Sequence, residues 1–223
     1  MPGYTTRNLT LHIGGEEYRL RALSDRQQFI DREGAADRAG ISSAQWSLFG
    51  QPWPAGCVLA EAMSSFDIAG KRILELGCGL ALSSLVLQRR GADITASDYH
   101  PLASSFLEYN AALNGLPAIA FHDLPWATPD ATLGHFDLII GSDILYERGH
   151  AALLSALMLR HAHPAAELVI VDPGRGQSSR FVRAIRAQGY ECSEERMRFD
   201  EAETKPFPGR LLYCRRPAAV TAS

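Results

Sequence analysis

A chain of 223 residues is long enough for one domain with a full core and too short for two large ones. With 46% apolar and 21% charged residues it has the balance of an ordinary soluble globule, and a net charge of −3 argues against gripping nucleic acid by charge alone. No apolar run approaches the ~20 residues that cross a bilayer. The opening Met1-Pro2-Gly3-Tyr4-Thr5-Thr6-Arg7 has no apolar stretch behind its charge, so a cytoplasmic setting without a secretory signal is expected. Cys57, Cys78, Cys192 and Cys214 lie far apart with no Cys-x-x-Cys pair, and read as reduced thiols rather than a disulfide or a metal centre.

Residues 1–50 form an N-terminal extension. Leu9 to Ile13 and Glu17 to Leu20 alternate apolar with polar around Gly14-Gly15, which predicts a β-hairpin. A polar stretch from Ser24 to Ser43 follows, partly helical or mobile. Pro52 and Pro54 bracket Trp53, and residues 55–66 read as a helix.

From Lys71 strands and helices alternate strictly. Strands are predicted at 72–76, 93–97, 118–121, 136–140 and 167–171, with helices at 80–90, 101–113, 149–163 and 178–188 between them. Two last strands, near 192–199 and 210–214, have no helix between them and should form an antiparallel hairpin at one edge. Near-continuous apolar strands alternating with helices imply an α/β fold, a doubly wound, mostly parallel sheet of seven strands covered on both faces. Residues 51–216 would make this domain and 217–223 a tail. The chain from Arg175 onward leans basic, which would suit an acidic protein partner, although scattered solubilising arginines on amphipathic helices are the favoured reading.

Ligands in such sheets bind beyond the carboxyl ends of the strands, where the strand order reverses. Glu75-Leu76-Gly77-Cys78-Gly79 ends the first of these strands. Gly77 and Gly79 let the backbone turn sharply, and the following helix offers free N–H groups. A dinucleotide fingerprint would want a third glycine where Leu82 stands, so the loop suits a phosphate-free ligand with an amino-acid end. Asp98, at the end of the second strand, can accept hydrogen bonds from both hydroxyls of a ribose; the competing reading is a helix N-cap. Asp123, ending the third, can accept from the exocyclic amine of adenine, or else be a turn residue before Pro125. His122 beside it reads as a strand-end residue. Trp53, held between prolines, suits a pocket wall, whereas Trp46 suits a core.

These residues resemble the class I methyltransferases that use S-adenosyl-L-methionine, over about residues 50–215. Within that class the sequence is similar to the seven-strand protein-lysine methyltransferases. Four stretches carry the likeness: Trp53-Pro54-Ala55-Gly56; Leu74 to Gly79; Asp143-Ile144-Leu145-Tyr146, an Asp-x-x-Tyr element; and Asp172-Pro173-Gly174-Arg175. The resemblance implies that Glu75, Gly77 and Gly79 meet the methionine part of the cofactor, Asp98 its ribose and Asp123 its adenine. Trp53 and Trp126 would wall the pocket, and Asp143 and Tyr146 would stand beside the transferring methyl. Ala81 replaces the third glycine often found in such loops, and residues 1–50 do not match, which leaves substrate selection to them.

A lysine acceptor must be neutral to attack, and with a pKa of ~10.4 only about one in 10³ is neutral near pH 7.5, a cost of ~4 kcal/mol. Asp143 and Tyr146, placed on a helical turn three apart, could fix the amine and aim its lone pair. Glu147 adjoins them and points elsewhere. Arg175 could pair with Asp143, hold substrate backbone, or be a plain surface charge. Other readings are a methyltransferase for a small molecule or another residue type, a silent cofactor-binding scaffold, and, against Leu82, a nicotinamide enzyme.

Overall fold

The computed structural model describes residues 4–25, 34–41, 43–128, 130–196 and 209–217. The chain opens with β1 (Thr6–Ile13) and β2 (Glu16–Leu23), an antiparallel hairpin in which Ile13 faces Glu16 across Gly14 and Gly15. Both glycines have positive φ, +58° and +83°, which a tight two-residue turn requires. Alternation then decides which face is buried: Tyr18, Leu20 and Ala22 point into the core. The polar stretch contains two short helices, α1 (Ala35–Arg38) and α2 (Ser43–Trp46), and its residues 26–33 and 42 lie outside the described residues.

Beyond them come α3 (Pro54–Ser65), with Pro54 at its first turn, then β3 (Arg72–Leu76), α4 (Leu82–Arg89), β4 (Asp93–Asp98), α5 (Ala103–Leu113) and β5 (Ala120–Asp123). The second half holds β6 (Phe136–Ser142), α6 (His150–His161), β7 (Ala162–Asp172), α7 (Ser178–Ala187), β8 (Glu191–Arg196) and β9 (Arg210–Arg215). The seven-stranded sheet runs β5-β4-β3-β6-β7-β9-β8. β9 lies antiparallel to both neighbours, β7 and β8, and the other pairings are parallel. The doubly wound, mostly parallel α/β sheet expected from the alternation is therefore present.

Period-two alternation sorts the strand residues between two cores. Ile73, Leu138, Ile140, Val169 and Val171 pack with α3, α4, α5 and the hairpin on one face. Leu74, Leu76, Ile139, Leu168 and Ile170 pack with α6 and α7 on the other. From β3 the chain winds one way to β4 and β5, then crosses to β6 on β3's other side. The strand order reverses between β3 and β6, and a crevice opens above their tips.

Several details differ from the expectation. β7 starts at Ala162 directly from the end of α6, with a register shift between Phe136 and Leu138 on its partner. The final pair is antiparallel, but β9 inserts between β7 and β8, so β8 is the edge; residues 197–199 of the expected strand lie outside the described residues. The thiol reading is corrected for one pair. Cys192 and Cys214 are 22 residues apart, yet the β8–β9 register sets them opposite each other, Cα atoms 4.1 Å apart, and they form a disulfide. Cys57 and Cys78 are free and buried.

Candidate active site

The turn after β3 builds the floor of the crevice. Gly77, Gly79 and Ala81 all adopt positive φ, between 53° and 62°, so three left-handed residues in five swing the chain from strand into helix. This displaces the start of α4 to Leu82, two residues beyond the sequence expectation. The two glycines are needed for different reasons. A Cβ at Gly77 would meet Ile144 Cγ2 at 3.0 Å and Trp126 Cζ2 at 3.4 Å, whereas a Cβ at Gly79 would find nothing within 4 Å. Gly77 is thus closed in by protein, while open space lies over Gly79.

Two carboxylates flank this turn. Glu75 is 3% exposed; its Oε2 accepts from the Ser84 N–H at 3.0 Å and from the Ser84 hydroxyl, both in the first turn of α4. Burial pushes its carboxyl up to about 7, against the Ser84 hydrogen bonds and with repulsion from Asp98. Asp98 ends β4 at 8% exposure. Its Oδ2 accepts from the Gly79 N–H and its Oδ1 from the His100 N–H, each at 2.9 Å. Burial raises its pKa too, opposed by these backbone N–H groups. Asp123 stands level with Asp98 across the β4–β5 ladder, but its side chain is exposed and outside the set that lines the crevice.

Above the turn lies an open cleft of about 720 Å³, and Trp53, Gly77, Gly79, Ser142 and Asp143 also line a second of about 490 Å³ over Glu75 and the α4 N-terminus. Trp53 walls both cavities, anchored by its Nε1–H to Leu48 O at 2.7 Å. Trp126 walls the larger one, and its buried Nε1 has no hydrogen-bond partner among the described residues.

Asp143, Tyr146 and Arg175 also line this cavity. The Asp143–Tyr146 segment is an irregular loop, not the helical turn expected; Asp143 is left-handed at φ 51° and donates its N–H to Val171 O at 2.8 Å. Its carboxylate receives both arms of Arg175 at 2.7 Å. Tyr146 stands edge-on to the His150 ring, centroids 4.4 Å apart, and its phenol shares a hydrogen bond with Tyr99. Burial is the main cause that raises the Tyr146 pKa, so it remains a neutral phenol at physiological pH. Glu147 turns outward and takes a hydrogen bond from Gln45 Nε2 at 2.8 Å.

Sequence reasoning missed part of this wall. Ile41, Leu48 and Phe49, from the N-terminal extension, and Tyr99 and His100, just beyond Asp98, also line the cavity. His100 stacks on Phe49 with centroids 3.9 Å apart, joining the extension to the β4 tip. Two aromatic side chains directly after a strand-end aspartate were the available signal; nothing local marks Ile41 or Phe49.

The pocket accommodates a cationic nucleoside better than a pyrophosphate. Glu75, Asp98 and Asp143 face it, and Arg175, the one arginine or lysine lining it among the described residues, is already bound to Asp143. The open space over Gly79, the buried carboxylates and the unpaired Trp126 donor fit S-adenosylmethionine. This fold and cleft define a class I methyltransferase dependent on S-adenosylmethionine.

The chain belongs to the lysine methyltransferase family, whose model matches residues 42–188. It is 31% identical over 202 residues to the electron transfer flavoprotein beta subunit lysine methyltransferase of Rattus norvegicus, covering 87% of this chain and 75% of that protein. A protein N-lysine methyltransferase of Danio rerio is 34% identical over 158 residues, covering 64% and 70%. Among solved structures, the 16S rRNA N2 G1207 methyltransferase of T. Thermophilus in complex with AdoMet and guanosine matches with a TM-score of 0.63 at 17% identity, covering 96% of this chain and 51% of that one.

Proposed function

We propose that this enzyme methylates the ε-amine of a lysine in a protein substrate. The supporting observation is that Asp143 and Tyr146 line the same cavity as the Gly77–Gly79 turn. In this reading Glu75, Gly77 and Gly79 hold the methionine end of the cofactor, with the amino group against carboxylate. Asp98 takes the ribose hydroxyls, Asp123 reaches adenine from the rim, and Trp53 and Trp126 enclose the ligand. The cofactor supplies an electrophilic methyl on a sulfonium.

The remaining task of the protein is to orient and desolvate an amine. Asp143 accepts an N–H of the incoming lysine and sets its direction. Tyr146 donates to Tyr99 or to the amine's surroundings and offers its oxygen to a second N–H, so the lone pair faces the methyl. A phenol with its pKa raised is no base, so the ammonium proton is lost to solvent before the N–C bond forms and the C–S bond breaks. Residues 51–216 carry this chemistry, and residues 1–50 contribute Ile41, Gln45, Leu48 and Phe49 to the wall and select the protein. No helix among the described residues is long and apolar enough to cross a membrane.

The test is incubation of the purified protein with methyl-labelled S-adenosylmethionine and a soluble lysate. Label recovered as methyl-lysine after acid hydrolysis of washed protein is expected. Label confined to small metabolites, or recovered as methyl-arginine, would overturn the reading.

A further inference from the structure

The Asp143–Arg175 pair has a consequence for the acceptor that rests on the lysine reading and goes beyond it. Arg175 Nε donates to Asp143 Oδ1 and Nη2 to Oδ2, both at 2.7 Å, the two-armed geometry in which guanidinium and carboxylate match best. Arg175 sits between Gly174 at φ +90° and Gly176 at φ +84°, a backbone few other residues could adopt. Asp143 is 14% exposed and Arg175 41%, so the pair joins the inner wall of the cavity to its mouth. One acceptor position on each Asp143 oxygen is used by Arg175, and a carboxylate has about four.

A bare carboxylate beside the substrate amine would help bind it and hinder its reaction. An opposite charge within ~4–6 Å raises an amine's pKa by about 1–3 pH units, and methyl transfer needs the lone pair that protonation removes. The other groups facing this spot do not offset such an effect. Glu75 at the β3 tip and Asp98 at the β4 tip line the cavity and are acidic, Asp172 is buried behind it at the β7 tip, Glu147 turns outward to Gln45, and Tyr99 and Tyr146 are phenols. His150 on α6 lies 3.0 Å from Ile144 O through Nδ1, which must donate, and turns Nε2 toward Glu147 at 3.5 Å. Arg175 is the one permanent cation lining the cavity among the described residues.

We propose that Arg175 is a positioning residue that neutralises Asp143 while leaving its oxygens free to accept, so that the substrate lysine is oriented without being held as an ammonium. Arg175 stays paired during turnover and is not displaced by the lysine.

Arg175→Gln tests this with two readouts. In the first, recombinant electron transfer flavoprotein beta subunit is the methyl acceptor. The rising limb of the kcat–pH profile should move about one pH unit to the alkaline side, with rates converging at high pH, and Arg175→Lys should recover part of the shift. In the second, n-butylammonium is titrated at pH 7 into enzyme loaded with S-adenosylhomocysteine. The Gln variant should bind it about tenfold more tightly than wild type, because the uncompensated carboxylate now prefers a cation. A kcat reduced equally at every pH, a higher kcat with a lower KM, or equal binding of the ammonium would each overturn the proposal. If wild type methylates no protein lysine while the butylammonium difference is present, the acceptor reading fails and the role of Arg175 in setting the charge of the subsite stands.

Discussion

Tyr146 is held from two sides, by the edge of the His150 ring and by the Tyr99 phenol. Tyr146→Phe keeps the ring and its packing but removes the oxygen proposed to meet the amine. The expected result is a kcat lower by about 10–100-fold, the equivalent of one hydrogen bond to a reacting polar group. Cofactor affinity by calorimetry should barely change, and an equal loss in both would contradict the assignment. Glu75 gives a prediction in pH. Its ordinary value is 4.5 and burial lifts it to about 7 in the folded protein. The folded state therefore binds this proton more tightly than the unfolded one. That contribution is complete below pH 4.5 and disappears as pH rises through 7, a loss of about 3 kcal/mol. Glu75→Gln lacks it, so the stability of the variant relative to wild type should rise between pH 5 and 8, measured by urea unfolding, while its cofactor binding weakens. Parallel pH dependences would show that the carboxyl is not desolvated as the structure shows.

At the scale of elements, Asn110 and Asn114 on α5 dock the free edge of β2. Asn110 Oδ1 accepts from the Arg21 N–H at 2.8 Å and Asn114 Oδ1 from the Arg19 N–H at 2.9 Å, while Asn114 Nδ2 donates to Arg19 O at 2.7 Å. Asn110 is fully buried and also donates to Leu80 O in the cofactor loop. Asn110→Leu has similar volume but leaves buried backbone groups unpaired at both ends. It should cost about 1–3 kcal/mol in denaturant unfolding, with a weaker cofactor affinity because the Leu80 carbonyl loses its donor; an unchanged midpoint would refute the docking role. The sequence shows why such links were not legible. The glycine turn, Asp98 and the Asp-x-x-Tyr element each lie within a few residues of a strand end, so local pattern was enough to find them. The Asn110–Arg21 contact spans 89 residues and the Cys192–Cys214 bond depends on a register, and neither leaves a local trace. The left-handed Asp143 was likewise invisible, because its backbone is set by Val171 across the β6–β7 ladder.

Over the whole molecule, the question is whether the N-terminal extension is an accessory or part of the core. Its hairpin buries Ile13, Tyr18, Leu20 and Leu23 to 2% exposure or less, in the same cluster as α3, α4 and one face of the sheet. Each such side chain contributes roughly 1.5–3 kcal/mol on burial, so the four together approach the 5–15 kcal/mol that typically separates folded from unfolded domains. The hairpin is also tied by polar contacts: Glu61 accepts from the Gly14 N–H at 2.9 Å, Arg89 donates to Glu17 O at 2.9 Å and lies over the Tyr18 ring, and Leu23 pairs with Gly50. Its removal would uncover apolar surface on α3 and α4, which pack in the same core as Cys78, Leu80 and Ala81 of the turn after β3. A chain lacking residues 1–24 should therefore lose its cooperative thermal transition and its near-ultraviolet circular dichroism and bind a hydrophobic dye, with cofactor binding lost as a consequence. If the shortened chain instead melts sharply, binds S-adenosylmethionine as tightly as the full chain and fails only to methylate protein, the hairpin is a substrate-selecting attachment, and the fold is complete without it.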